Sequence, residues 1–127
     1  RAFPQSEVSQ MFQKDMHKTV RPWIEKLLEH YPILFYNGQF DIVCANPLTE
    51  NVFRNLHWNG ASVYGQAKRQ VWRVGNTITG YYKSAGNLID VLVRDASHMV
   101  PADQPRNILK LIDMFIENRL SNNLTRV

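Results

Sequence analysis

Apolar residues recur at the helical period from the start of the chain. Val8, Met11, Phe12, Met16 and Val20 follow a polar start at Ser6, and Trp23, Ile24, Leu27, Leu28 and Tyr31 continue the stripe after Pro22. Two short helices, or one broken at Pro22, are expected, with Met11, Phe12, Met16 and Trp23 facing a core. Pro32 stops the helix, because the residue before a proline is pushed out of the α region and the missing N–H cannot continue the ladder.

The pattern then changes period. Ile33 to Tyr36 is an unbroken apolar run ended by Asn37-Gly38, the signature of a strand covered on both faces, as in a parallel sheet. Asn46 as N-cap and Pro47 in the first turn open a helix with Leu48, Val52, Phe53 and Leu56 on one side. Between glycines at 60, 65, 75, 80 and 86, the β-rich pieces Val71 to Val74 and Thr77 to Tyr82 predict an antiparallel hairpin. Leu88 to Val93, interrupted only by Asp90, is a second buried strand. Asp103 then caps a last helix with Pro105 in its first turn and Ile108, Leu109, Ile112, Phe115 and Ile116 inward. No repeat or linker divides this order, which is that of an α/β sheet. Two buried strands are too few to close one, since apolar edges invite further pairing. The chain therefore reads as part of a larger sheet, either a fragment or one chain of a processed protein.

Composition narrows the function classes. With 44% hydrophobic and 20% charged residues, the 127-residue chain is globular in character, and disorder is excluded. No apolar run approaches the roughly 18 to 20 residues of a membrane helix, and the charged, proline-containing start lacks a signal peptide's apolar stretch. No membrane partner is expected. Fifteen Lys and Arg against 11 Asp and Glu give +4, but they are scattered, with only Lys68, Arg69 and Arg73 grouped, which is no nucleic-acid footprint. The single cysteine, Cys44, excludes an internal disulfide and a CxxC zinc site, and nothing calls for a metal or cofactor. Asn123-Leu124-Thr125 is a glycosylation sequon that would suit a secreted or lysosomal protein.

Chemistry concentrates in two loops. Asp41 and His98 each fall five residues past the apolar strand runs, where a parallel sheet places its active site. A carboxylate and an imidazole so placed can form the acid and base half of a nucleophilic triad. Each also has a plainer reading, Asp41 as a turn residue after Asn-Gly and His98 as a structural residue before a capped helix. In α/β-hydrolases the nucleophile comes first in the chain, yet no G-x-S-x-G elbow occurs here. The nearest miss, Gly60-Ala61-Ser62-Val63-Tyr64-Gly65, has its second glycine one place too far and no buried strand before it. Ser62 is therefore a poor nucleophile candidate. His17, His30 and His57 lack partners at ligand or triad spacing, and Cys44 reads by default as a small buried hydrophobe.

Tyr36-Asn37-Gly38-Gln39-Phe40-Asp41 resembles the Y-[ANS]-G-x-x-D segment that holds the triad Asp of serine carboxypeptidases. Ala96-Ser97-His98-Met99-Val100-Pro101-Ala102-Asp103-Gln104-Pro105 resembles their G-H-M-V-P-x-D-x-P segment, which holds the triad His. Leu48-Thr49-Glu50, His57-Trp58-Asn59-Gly60, Gln70-Val71-Trp72 and the start Val20-Arg21-Pro22-Trp23-Ile24 are most similar to the vitellogenic-like members. The resemblance runs from about residue 8 to 118 and implies one undivided segment, residues 1–127, from the C-terminal third of an α/β-hydrolase domain. It implies Asp41 and His98 as triad residues, Met99 lining the pocket for the leaving residue, and Cys44 near the triad. It also implies a peptide substrate and a serine supplied by an upstream segment or chain. Acyltransferase, hydroxynitrile lyase and non-catalytic interaction roles remain alternatives, since fold does not fix function. One departure stands out: the residue before the His is usually Gly in the family and is Ser97 here, which would matter if that position required φ > 0.

Overall fold

The computed structural model describes residues 6–117. Its elements are α1 (Glu7–Met16), α2 (Arg21–Leu28), β1 (Ile33–Gly38), α3 (Asn46–Asn55), α4 (Ala61–Gln66), β2 (Gln70–Val74), β3 (Thr77–Ala85), β4 (Leu88–Val93), α5 (Val100–Asp103) and α6 (Pro105–Ile116). The four strands form one mixed sheet in the order β1-β4-β3-β2, with β1 parallel to β4 and the other two pairings antiparallel. Gly75-Asn76 and Gly86-Asn87 make the two hairpin turns, and each glycine takes the positive φ (58° and 49°) that such turns require. The expected hairpin and the parallel pair are both present.

Side-chain alternation along β4 divides the core in two. Ile89, Val91 and Val93 pack with Ile108, Leu111 and Met114 of α6 and with Trp72 and Tyr82 of the hairpin. Leu88 points the other way, into a cluster with Leu28, Phe53, Leu56, Tyr64 and Ala85 under α2, α3 and α4. Helices thus cover both faces, the α/β arrangement. Asp90, on this second face, is 2% exposed and accepts a hydrogen bond from the Tyr64 hydroxyl at 3.0 Å, with burial raising its pKa. Lys83 lies over the Tyr64 ring at 4.1 Å and pairs with Glu50 of α3 at 3.4 Å, while Arg69 joins Glu50 and Asn46.

Several expectations from periodicity are corrected. α1 buries nothing, so Met11, Phe12 and Met16 face outward, as does Trp23 at 71% exposure. Of the two readings at Pro22, the two short helices are the one observed, with Pro22 in the first turn of α2. β1 is half-buried rather than covered on both faces, because it is an edge of this sheet. Leu48 and Val52 of α3 are exposed, and α6 turns Ile108, Leu111 and Met114 inward while Leu109, Ile112 and Ile116 stay outside. Asn46 caps nothing: α3 starts at Asn46 itself, and the side chain accepts from Arg69 at 2.9 Å. Asp103 ends α5 instead of capping α6 and bonds to Ser97.

Candidate active site

Parallel pairing of β1 with β4 sets their C-terminal ends side by side, Gly38 opposite Val93. The loops that follow are laced together by main-chain bonds, Gln39 N–H to Val93 O and Phe40 N–H to Ala96 O, both at 2.9 Å. Gly38 makes this approach possible, since a Cβ there would lie 2.0 Å from the Ser97 carbonyl oxygen and 2.5 Å from that of Ala96. A side chain at 38 would push the two loops apart.

Across this seam, 57 residues apart in sequence, the Asp41 Oδ2 and His98 Nδ1 atoms are 3.0 Å apart. Asp41 is 7% exposed, and a charge so enclosed needs partners. Its other oxygen, Oδ1, accepts the Val43 and Cys44 amides at 2.9 Å each. The Cys44 amide above all, then the His98 and Val43 bonds, hold the carboxyl below the usual range against the opposing effect of burial. An ionised carboxylate only accepts, so Nδ1 must carry the proton and Nε2 keeps its lone pair. Nε2 has no hydrogen-bond partner among the described residues, and the His98 side chain is half exposed. The arrangement can take a proton at Nε2 while the fixed negative charge stabilises the imidazolium that results.

The remaining candidates are distributed around this pair. Met99, next to His98, is 62% exposed. Cys44 is exposed rather than buried, and serves the site through its main chain, its amide on Asp41 and its carbonyl accepting from Asn37 Nδ2 at 2.9 Å. Ser62 sits on α4 and is hydrogen-bonded to neither Asp41 nor His98. His17, His30 and His57 are all exposed. Asn123 lies outside the described residues. Among the described residues no group of His, Cys, Asp and Glu is arranged to hold a metal ion.

Residue-by-residue reading missed the support on the other side of His98. Ser97 donates to Asp103 Oδ2 twice, from its amide at 2.7 Å and from its hydroxyl at 2.5 Å. Those two bonds lower the Asp103 pKa. Ser97 also avoids the left-handed region, where Asp95 at φ 55° is the one non-glycine residue among those described. The replacement of glycine at 97 therefore brings no backbone strain. The spacing of an acid six residues after Ser97 was the available signal, but it reads equally well as a helix cap.

Comparison with known proteins gives the family of the whole chain. The serine carboxypeptidase family profile matches residues 3–118. Vitellogenic carboxypeptidase of Aedes aegypti is 46% identical over 110 residues, covering 87% of this chain and 23% of that protein. Venom serine carboxypeptidase of Apis mellifera is 46% identical over 117 residues, covering 91% and 25%. The crystal structure of a prohormone-processing carboxypeptidase from Saccharomyces cerevisiae superposes with a TM-score of 0.68 at 28% identity, over 77% of this chain and 22% of that one. The chain spans about a quarter of the length of these relatives. Its fold, its sequence and the matched profile place it in the serine carboxypeptidase family.

Proposed function

We propose that this chain is the C-terminal acid and base segment of one serine carboxypeptidase domain, acting on peptides once an upstream segment or chain supplies the serine. The observation that carries this reading is the 3.0 Å Asp41–His98 contact, with the far carboxylate oxygen held by two amides. His98 Nε2 takes the proton of the serine hydroxyl as its oxygen attacks the scissile carbonyl carbon. The same proton passes to the leaving amine, which departs as the C-terminal residue. Water then repeats the cycle on the acyl-enzyme, and Asp41 holds the ring throughout. Met99, exposed beside His98, is suited to line the pocket for the leaving residue. A secreted or lysosomal site of action is supported by the venom relative and the sequon at Asn123.

The test is peptide hydrolysis by the full-length protein carrying this segment. His98→Ala and Asp41→Asn should each lower turnover by about 10⁴-fold with the fold preserved; turnover within tenfold of the parent in either variant defeats the assignment. The pH dependence has a definite sign. Asp41 has a depressed folded pKa, so its stabilisation is complete above the unfolded value of about 3.9 and is lost as pH falls through the lower folded value. The part of the stability gap between parent and Asp41→Asn that comes from the Asp41 carboxylate should close as pH falls below about 4, as read by thermal unfolding.

A further inference from the structure

The peptide unit of Ser97, immediately before the proposed base, is held from two sides. Its carbonyl faces Gly38 at a distance that admits no Cβ, while its amide and hydroxyl both end on one oxygen of Asp103. Asp103 touches neither Asp41 nor His98. Gln104, the next residue, donates from Nε2 to the Asp95 carbonyl at 3.0 Å, so the segment after His98 grips the segment before it at two points. A carboxylate that accepts two short bonds on a single oxygen is a stronger restraint than a neutral acceptor would be. The His98 side chain is half exposed and among the described residues has only the Asp41 bond, which leaves its backbone position to be set by these neighbours.

We propose that Asp103 is a positioning residue for His98, acting through Ser97 as a two-bond clamp, with the Ser97 hydroxyl adding a restraint that glycine at this position cannot make. The inference rests on the proposed function and extends it. Positioning errors near 1 Å can cost about 10²-fold in rate, so a clamp one residue from the base carries that leverage.

In the full-length protein, Asp103→Ala should lower kcat by about 10- to 100-fold with KM within about twofold, and Ser97→Ala should lower kcat by about three- to tenfold. The double variant should be no worse than Asp103→Ala, because the hydroxyl has already lost its partner. Asp103→Asn, which keeps the shape and one acceptor oxygen, should recover part of the loss. Thermal unfolding identifies any variant that has merely lost its fold, and Asp103→Asn and Ser97→Ala are mild enough to carry the test if Asp103→Ala is unstable. A folded Asp103→Ala with kcat within twofold of the parent, or single-variant effects on kcat that multiply in the double, overturns the clamp. His98→Ala separates the two failures. If it abolishes turnover while the Asp103 variants keep theirs, only the clamp is wrong; if it leaves turnover intact, or the parent itself is inactive, the proposed function on which the clamp depends is wrong.

Discussion

Gly38 shows how much a single position can decide. The Asp41 and His98 loops meet where Gly38 lies under the Ala96 and Ser97 carbonyls, and no flexible side chain stands between them to yield. Gly38→Ala should therefore cost about 1–3 kcal/mol in unfolding free energy, the usual penalty of overpacking, and should lower turnover further by widening the Asp41–His98 gap. Denaturant unfolding and peptide hydrolysis on the same sample read both effects; a variant with parental stability and rate would show that the loops can part freely. At this scale the sequence was informative about type and silent about contact. Asp41 and His98 drew attention by following strand ends, whereas Ser97 stood out only as a departure from glycine and Asp103 read as a helix cap.

Among the elements, strands were more legible than helix faces. Leu88 to Val93 is apolar except at Asp90 because β4 is flanked by β1 and β3 and covered by helices on both sides, and its observed bounds are the same. A helix offers three or four candidate stripes, and composition alone does not choose among them when apolar residues are abundant. In α6, Leu109, Ile112 and Ile116 compete with Ile108, Leu111 and Met114, and only the latter set meets β4 and the hairpin. Leu111→Ala should cost about 2–5 kcal/mol, and Ile116→Ala, at 72% exposure, should stay within about 0.5 kcal/mol. Equal losses from chemical denaturation would mean that α6 packs through both faces. α1 carries the same lesson further, since its apolar stripe is real but nothing among the described residues buries it.

On the scale of the whole molecule, uncovered surface gathers in a few places. Val8, Met11, Phe12 and Met16 of α1 are exposed, as are Phe40, Ile42 and Val43 beside the candidate site, and among the described residues β1 has a strand on one side only. Each leaves apolar area in water at roughly 25 cal/mol per Å², against a total stability of about 5–15 kcal/mol for a typical domain. Expressed alone, the chain should self-associate or unfold without a sharp transition, and should not hydrolyse peptides. Sedimentation, calorimetry and a peptidase assay check the three statements together. A monomer with cooperative unfolding would show that these surfaces need no cover, and genuine hydrolysis would point to an unrecognised nucleophile, with Ser62 and Ser97 the first to replace.

The strand order β1-β4-β3-β2 also sets a timetable. The β2–β3 and β3–β4 pairs close through two-residue turns, but β1 must find β4 across about 55 residues, and closure entropy rises by about 0.6 kcal/mol for each doubling of the loop. Loop closure favours the local pairs over the distant one. The hairpins can therefore stand before Asp41 has met His98. On the proposed reading, the acid–base pair is completed only when β1 docks on β4, and a chain with both hairpins formed still lacks it.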